Sequence, residues 1–213
     1  MLTIAISKGR LLQESLNLLH NLGIEFKEDL TSSRKLIHYS IDESLKVLII
    51  RAKDVPTFVE NGGADLGIVG KDILIEEPGD VYEMLDLRFG YCRIVVAEPE
   101  DTEDHYCRKG YLRIATKYPN ITERFFSQKA VQFEIIKLYG SVELAPHAGI
   151  ADLIVDLVST GNTLRANRLR EVETIFESTA RLIVNRISFK TNNIEVTQFI
   201  TRVKEKIDET TKY

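Results

Sequence analysis

Ala151-Asp152-Leu153-Ile154-Val155-Asp156-Leu157-Val158-Ser159-Thr160-Gly161-Asn162-Thr163-Leu164 changes character halfway along. Its first half is an apolar run broken by two acids, which reads as a buried strand ending at a functional edge. Its second half is a small-residue turn, Ser-Thr-Gly-Asn-Thr, opening into a helix predicted over 164–169. A strand, a glycine turn and a helix start present backbone N–H groups and hydroxyls to one point, which suits a phosphate. Asp152 and Asp156, one step back, are placed to accept hydrogen bonds from sugar hydroxyls or to help hold Mg²⁺. A carboxylate inside an apolar strand is costly unless paired, so at least one of the two belongs at the strand's end. That weighs against a strand and turn that bind nothing. Acids, loop and phosphate site together fit a phosphoribosyl group.

The same order of elements occurs twice. Leu2-Thr3-Ile4-Ala5-Ile6 reads as a first strand, turned by Ser7-Lys8-Gly9-Arg10. Leu11, Leu12, Ser15, Leu18, Leu19 and Leu22 then share one helical face, stopped by Gly23. A polar segment over 28–44, read as mobile, carries Arg34 and Lys35. The second strand, over 47–50, leads to Arg51. Asp54 is placed to cap a helix that begins Val55-Pro56 and ends at Asn61-Gly62-Gly63. Ala64-Asp65-Leu66-Gly67-Ile68-Val69-Gly70 is a third strand, followed by Lys71-Asp72. From Leu112-Arg113-Ile114-Ala115-Thr116 the pattern restarts: a helix over 121–129, a strand over 133–138, a short helix around Glu143, and the strand at 151–155. Ala64-Asp65-Leu66 and Ala151-Asp152-Leu153 match in letters. The fold expected is α/β, two similar lobes with mainly parallel sheets around a cleft.

A long strand-like stretch over 82–98 is read as crossing between lobes, and 171–189 as the return. The stretch 192–207, with Ile194, Val196, Phe199, Ile200, Val203 and Ile207, reads as a terminal helix on the first lobe. Lobe I is therefore 1–92 plus 178–213, and lobe II is 93–177. A ligand is expected between the lobes, near the carboxyl ends of the strands.

Composition narrows the function classes. The 213 residues include 28 basic and 32 acidic ones, a net charge near −4 without a basic block. Bulk binding to nucleic acid or to an acidic membrane is not indicated. Cys92 and Cys107 are too few for a disulfide framework, and no Cys/His cluster has zinc spacing. No signal peptide or bilayer-length apolar run is visible, so a cytoplasmic protein is expected.

Cations repeatedly follow the strands of the first lobe: Lys8 and Arg10 after the first, Arg51 and Lys53 after the second, Lys71 after the third. Any one alone reads as a solvated turn; together they imply an anionic ligand, whose phosphates arginine grips bidentately. Glu143, before a short helix, is suited either to a ribose hydroxyl or to favouring the helix N-terminus. His20, His38, His105 and His147 are scattered, and no His/Asp/Ser or His/Cys constellation is present. The chemistry expected therefore runs on positioning and charge stabilisation.

With these residues in view, the sequence resembles the ATP phosphoribosyltransferase family in its short form. The resemblance is carried by Ser7-Lys8-Gly9-Arg10-Leu11, Ser33-Arg34-Lys35-Leu36, Arg51-Ala52-Lys53-Asp54-Val55-Pro56, the Ala64 to Asp72 strand and turn, Lys137-Leu138-Tyr139-Gly140-Ser141-Val142-Glu143-Leu144-Ala145-Pro146, and Asp152 through Leu169. It implies a fold like that of type II periplasmic binding proteins. It implies a first step of histidine biosynthesis: ATP and phosphoribosyl pyrophosphate give phosphoribosyl-ATP and pyrophosphate, with Mg²⁺ as cofactor and no direct protein ligation of the metal. By the same resemblance, Ser159, Thr160, Gly161, Asn162 and Thr163 hold the 5′-phosphate. Glu143 and Asp156, and less directly Asp152, contact the ribose. Arg10 and Arg34 are the catalytic cations that neutralise departing pyrophosphate, with Lys8, Gly9, Arg51 and Lys71 toward ATP or pyrophosphate. The short form lacks the C-terminal regulatory domain; the partners implied are a catalytic-subunit dimer and a histidyl-tRNA-synthetase-like regulatory subunit, through which histidine inhibits. One departure stands out: the family's Arg-Ala-Asn-Gly-Leu is Arg165-Ala166-Asn167-Arg168-Leu169 here, and arginine is costly if that position has positive φ.

Two rival readings differ in class. A non-catalytic solute-binding protein would share the two lobes but normally acts outside the cytoplasm. A salvage phosphoribosyltransferase acting on a free base would share the acidic strand and Thr-Gly loop, without the repeated lobe.

Overall fold

The apolar stretches predicted as strands over 2–6, 47–50, 64–70, 112–116 and 151–155 are buried almost throughout, that over 133–138 is at most half-buried, and the sheets they build occur in duplicate. The computed structural model describes residues 1–102 and 110–210; His105, Cys107 and Tyr213 lie outside these. In chain order the first elements are β1 (Leu2–Ser7), α1 (Leu12–Asn21), β2 (Ile37–Tyr39), β3 (Leu45–Ile50), α2 (Val55–Glu60), β4 (Leu66–Gly70), α3 (Lys71–Glu76) and β5 (Val81–Asp86). There follow β6 (Cys92–Pro99), β7 (Tyr111–Thr116), α4 (Pro119–Phe126), β8 (Gln132–Lys137), β9 (Leu153–Val158) and α5 (Asn162–Ala166). The chain ends with β10 (Leu169–Ser178), β11 (Ala180–Asn185), α6 (Arg186–Thr191) and α7 (Asn193–Thr210). Two compact units result: Met1–Gly90 with Thr179–Tyr213, and Tyr91–Ser178.

Unit 1 has the strand order β2-β3-β1-β4-β11-β5, and unit 2 the order β10-β6-β9-β7-β8. Set aside the edge strand β2, and the two orders superpose: β3-β1-β4-β11-β5 against β8-β7-β9-β6-β10. In each, three parallel strands are followed by an antiparallel one, β11 or β6. That antiparallel strand is the one the chain forms just after crossing from the other unit.

The letter match Ala-Asp-Leu marks a shared structural device. Asp65 accepts the Thr3 amide at 2.8 Å, and Asp152 accepts the Arg113 amide at 2.8 Å. In each case the aspartate's own amide returns a bond to the same residue's carbonyl. Each carboxylate thus satisfies an amide near the start of β1 or β7 on the side facing β4 or β9, where the ladder to that neighbour begins one residue later. Asp65 also accepts the Ser188 hydroxyl at 2.6 Å, tying in α6.

The terminal helix α7 packs on unit 1 through Val196, Phe199, Ile200, Val203 and Ile207, which join the cluster of Ile4, Ile6, Leu19, Leu66 and Leu182. Ile194 does not share that face and is exposed. The 28–44 segment is held more firmly than its polarity implied. It contains β2, antiparallel to β3, and buries Leu30, His38 and Ser40. The His38 ring lies 3.3 Å from the Glu28 carboxylate and 3.1 Å from the Lys35 carbonyl. The stretch over 82–98 is two strands in two sheets rather than one, separated where Arg88 and Gly90 take positive φ. Asp54 does not cap α2: it sits in a 3-10 turn, Ala52–Asp54, with helical φ/ψ and no capping bond from its side chain. Asn185 does cap, accepting the amides of Ile187 and Ser188 at the start of α6. Among the described residues no helix is long and apolar enough to cross a membrane.

Candidate functional site

In unit 2 the strands β8, β7 and β9 are adjacent and parallel, so the residues that follow them share one edge of the sheet. Ser141 adopts a left-handed conformation, φ 50° and ψ 40°, which turns the chain into a single 3-10 turn, Val142–Leu144. Val142 and Ala145 are buried in the unit's core. Glu143, between these two anchors, is left to line a cavity of about 190 Å³ with residues 157–164. The loop over 159–161 is exposed or half-exposed, whereas Val158 and Leu164 on either side are buried, so both ends of the loop are fixed. Gly161 has φ +76°, and a Cβ there would meet the Arg165 guanidinium at 3.1 Å. Arg165 bonds the Thr160 carbonyl at 3.2 Å and the Asn162 side chain at 2.5 Å, bracing the loop from behind. The first amides of α5 have no intrahelical partner, because an α-helix leaves its first four N–H groups unpaired. The helix starts at Asn162 and ends at Ala166, earlier at both ends than the predicted 164–169, because Leu169 already pairs in β10.

The two acids of this strand have different fates. Asp156 is buried, 6 % exposed, at the loop end of β9. Burial pushes its carboxyl above the ordinary carboxylate value; Lys117 and the Leu157 amide oppose the rise, and Glu143 adds to it. The Lys117 Nζ lies 3.4 Å from Asp156 Oδ2. Asp152, by contrast, is not part of the site. It stands at the opposite end of β9, bonded to the Arg113 amide and 3.3 Å from the Arg113 Nε. Four residue steps along the strand separate the two acids by about 13 Å at roughly 3.3 Å per residue. The sequence reading grouped them as one acidic edge; the length of the strand separates them, one at the end that Arg113 caps and one at the end that leads into the loop.

In unit 1 the corresponding edge is cationic. Lys8, Arg51 and Lys71 follow β1, β3 and β4, which are adjacent and parallel. Gly9, at φ +103°, turns the chain so that Leu11 is buried and Arg10 is carried beside β4. The Arg10 guanidinium donates to the Gly90 carbonyl and lies 4.0 Å from the buried carboxylate of Asp72. A Cβ at Gly70 would collide with Asp72, and one at Gly90 with Leu11, so both glycines leave room for this arrangement. Lys71 is tied to Glu83 of β5 at 2.5 Å. Arg51 is exposed. Arg34 is exposed too, and its backbone is level with Arg51, because β2 runs antiparallel to β3 and Ile49 N–H bonds the Leu36 carbonyl. The predicted cations therefore collect on the carboxyl edge of one unit, and the acids and loop on the carboxyl edge of the other.

Lys117 was not visible as a site residue. A lone lysine before Tyr-Pro reads as a solvated turn, and its partner is 39 residues away. The repeat is the signal that points to it: Lys117 closes the strand that opens the second copy.

Two duplicated sheets with this strand order, each with candidate site residues at its parallel carboxyl ends, define a type II periplasmic-binding-protein-like fold. A substrate-binding protein of an amino acid ABC transporter shares it with a TM-score of 0.60 at 14% identity, over 99% of this chain and 93% of that one. The profile of the ATP phosphoribosyltransferase family matches residues 51–205. An ATP phosphoribosyltransferase of Geobacter metallireducens is 55% identical over 97% of this chain and 98% of its own length. One from Thermoanaerobacter sp. is 47% identical over 97% of this chain and 96% of its own length. Among solved structures, the ATP phosphoribosyl transferase (HisG:HisZ) complex from Thermotoga maritima has a chain with TM-score 0.83 and 35% identity, covering 98% of this chain and all of that one. The chain belongs to the ATP phosphoribosyltransferase family, a family of enzymes.

The arginine that departs from the family's pattern is strained as anticipated. Arg168 follows α5 with φ 50°, in the left-handed region that glycine enters freely. Left-handed geometry costs a non-glycine residue about 1–2 kcal/mol, and glycine's greater unfolded-state freedom offsets part of that. Arg168→Gly is therefore expected to stabilise the chain by about 0.5–1 kcal/mol. Urea unfolding should show a raised midpoint at unchanged slope; an unchanged or lowered midpoint would mean that arginine is not strained there.

Proposed function

We propose that this chain transfers the phosphoribosyl group of phosphoribosyl pyrophosphate to N1 of ATP, releasing pyrophosphate, in the cytoplasm and as the first step of histidine biosynthesis. The N1–C1′ bond forms as the bond from C1′ to the pyrophosphate oxygen breaks, with inversion at C1′. The observation that carries the reading is the cavity where Glu143 and the Ser159–Thr163 loop meet at the edge that also holds Asp156. The loop amides and hydroxyls take the 5′-phosphate, since unpaired N–H groups and small hydroxyl side chains satisfy phosphate oxygens without steric cost. Glu143 and Asp156 take the ribose hydroxyls, as acceptors that orient C1′ toward the incoming nitrogen. Arg10 and Arg34 neutralise the charge that grows on the leaving pyrophosphate, and Lys8, Gly9, Arg51 and Lys71 line the path of ATP or pyrophosphate.

Mg²⁺ enters this scheme with the diphosphate and supplies charge neutralisation there. The donor set fits that role, because Mg²⁺ commonly binds substrate phosphates and water with few protein ligands. Among the described residues no group of three or more acids, histidines or cysteines is positioned to cage a metal. The Thermotoga relative is described in a HisG:HisZ complex, and we read this chain likewise as the catalytic subunit of a hetero-oligomer. Its partners would be a second catalytic subunit and a histidyl-tRNA-synthetase-like regulatory subunit.

The test is pyrophosphate release from purified protein given ATP, phosphoribosyl pyrophosphate and Mg²⁺, with pyrophosphatase present to pull the equilibrium. Phosphoribosyl-ATP is the expected product, directly or once the regulatory subunit is added. Binding of substrates without turnover under both conditions would reject the reading in favour of a solute binder, and turnover with adenine but not ATP would favour salvage.

A further inference from the structure

The two units use the same register in different ways. Thr3 pairs with Asp65 as Arg113 pairs with Asp152, so four residues on, Ser7 and Val69 correspond to Lys117 and Asp156. Unit 1 fills this cross-strand position with a buried serine and a buried valine. Unit 2 places a lysine and a buried carboxylate there, directly below the loop that follows β9. A buried charge in place of a valine costs a core stability even when partly paired, a cost that a function for the charge accounts for. The difference between the two copies therefore locates a requirement specific to unit 2.

We propose that Lys117 is a positioning residue of the phosphoribosyl site, holding the Asp156 carboxylate ionised and aimed while the sugar's two hydroxyls are bound. The inference rests on the reading of Asp156 as a ribose contact. The surroundings of Asp156 leave this task to Lys117. Glu143, from the 3-10 turn after β8, is a like charge and opposes ionisation of Asp156. On β6 the residue opposite Asp156 is Val95, and Arg93 on that strand is engaged by Glu171 of β10 at 2.8 Å. From α5, Arg165 is spent on Thr160 and Asn162, and Leu164 is apolar. Lys117 is itself fixed by its neighbour: the Thr116 hydroxyl donates to the Val155 carbonyl at 2.7 Å and accepts the Tyr118 amide at 2.8 Å. This pins the end of β7 to β9 immediately before the lysine. The Asp156 Oδ1 accepts the Leu157 amide at 2.8 Å. With Lys117 on Oδ2, the carboxylate plane is set by two donors on two strands. A polyanionic sugar phosphate approaching two carboxylates is repelled by both; one ammonium at this point offsets one of them.

The test compares Lys117→Met, Lys117→Arg and the unaltered protein by two readouts. The first is the titration of the Asp156 carboxyl carbon by NMR, assigned through Asp156→Asn. The second is the pH dependence of phosphoribosyl pyrophosphate binding by calorimetry. Loss of an opposite charge at this distance is expected to raise the Asp156 titration by on the order of one pH unit. The acid limb of binding should move upward with it, so that at a given pH on that limb affinity should fall about tenfold. Lys117→Arg should restore most of both effects. The substrate's own phosphates titrate identically with every variant, so they cancel in the comparison. An unmoved Asp156 titration in Lys117→Met would overturn the proposal, as would Lys117→Arg behaving like the methionine variant. The NMR readout needs no turnover. Failure to make phosphoribosyl-ATP would count against the functional reading, while this titration would still decide the role of Lys117.

Discussion

Arg10→Ala is expected to lower kcat about 100-fold or more while leaving the KM of both substrates within a few-fold of the unaltered enzyme. The size follows from where the charge develops. In the proposed transfer, negative charge grows on the leaving pyrophosphate as the C1′–O bond stretches, so a cation aimed at the product stabilises the transition state more than the ground state. Preorganisation decides how much of that is realised. Gly9 turns the chain, Leu11 anchors it in the core, and the guanidinium is held by the Gly90 carbonyl with Asp72 at 4.0 Å. Such a group does not have to be collected from solvent at the moment of reaction. Arg10→Lys should fall between the two, because a lysine keeps the charge and loses the planar fork that reaches two acceptors at once. Single-turnover kinetics is the measurement to make, since slow product release would mask a chemical step in the steady state. A single-turnover rate unchanged in Arg10→Ala would remove this residue from the mechanism.

The legible part of this protein was its repeat, and the reason is physical. A parallel strand buried on both faces has to be apolar throughout, so β1, β3, β4, β7 and β9 announce themselves. An aspartate at the mouth of such a strand can only serve a backbone amide or a ligand. The Ala-Asp-Leu echo survived into three dimensions because both copies use it for an amide. Lys8, Arg51 and Lys71 of unit 1 were legible for a related reason: each directly follows a strand, so topology alone brings them to one edge. What stayed hidden depends on contacts between distant residues. Asp152 looked equivalent to Asp156 because letters do not tell which end of a strand meets the ligand; the bond to Arg113 does. Lys117 acquires meaning only opposite Asp156. The firmness of the 28–44 segment comes from the pairing of β2 with β3 and from burial of Leu30, Ser40 and a histidine whose two ring nitrogens meet a carboxylate and a carbonyl, and nothing in the local composition signals that. The split of 82–98 into two strands turns on Arg88 and Gly90 at positive φ, and a single glycine in an apolar stretch is a weak sign of a break.

Asp156→Asn should separate binding from stability with opposite signs. As a charged acceptor of ribose hydroxyl hydrogen bonds, the carboxylate contributes about 1.5–3 kcal/mol, so its neutral amide should raise the KM and Kd for phosphoribosyl pyrophosphate roughly 10- to 100-fold. The fold, however, should not suffer. The Asp156 carboxyl titrates above its ordinary value in the native state, chiefly because it is buried. The native state therefore binds that proton more tightly than the unfolded chain does, and stability falls as pH rises from the unfolded value through the native one. At neutral pH the ionised carboxylate is a net liability to folding, offset only in part by Lys117. Asparagine removes the buried charge at nearly constant shape, and Lys117, a third exposed, can turn to solvent. The variant's Tm is expected to equal or exceed that of the unaltered protein at neutral pH, and the difference should shrink as the solution is acidified and Asp156 is protonated. Asp152→Asn is the control with the reverse signature. Its carboxylate serves the Arg113 amide and side chain rather than a ligand, so the loss should be about 1–2 kcal/mol of stability with substrate affinity intact. Calorimetric titration of both variants with phosphoribosyl pyrophosphate, beside thermal unfolding across pH, reads all four outcomes. Unaltered affinity in Asp156→Asn, or weakened affinity in Asp152→Asn, would reverse the assignment of the two acids.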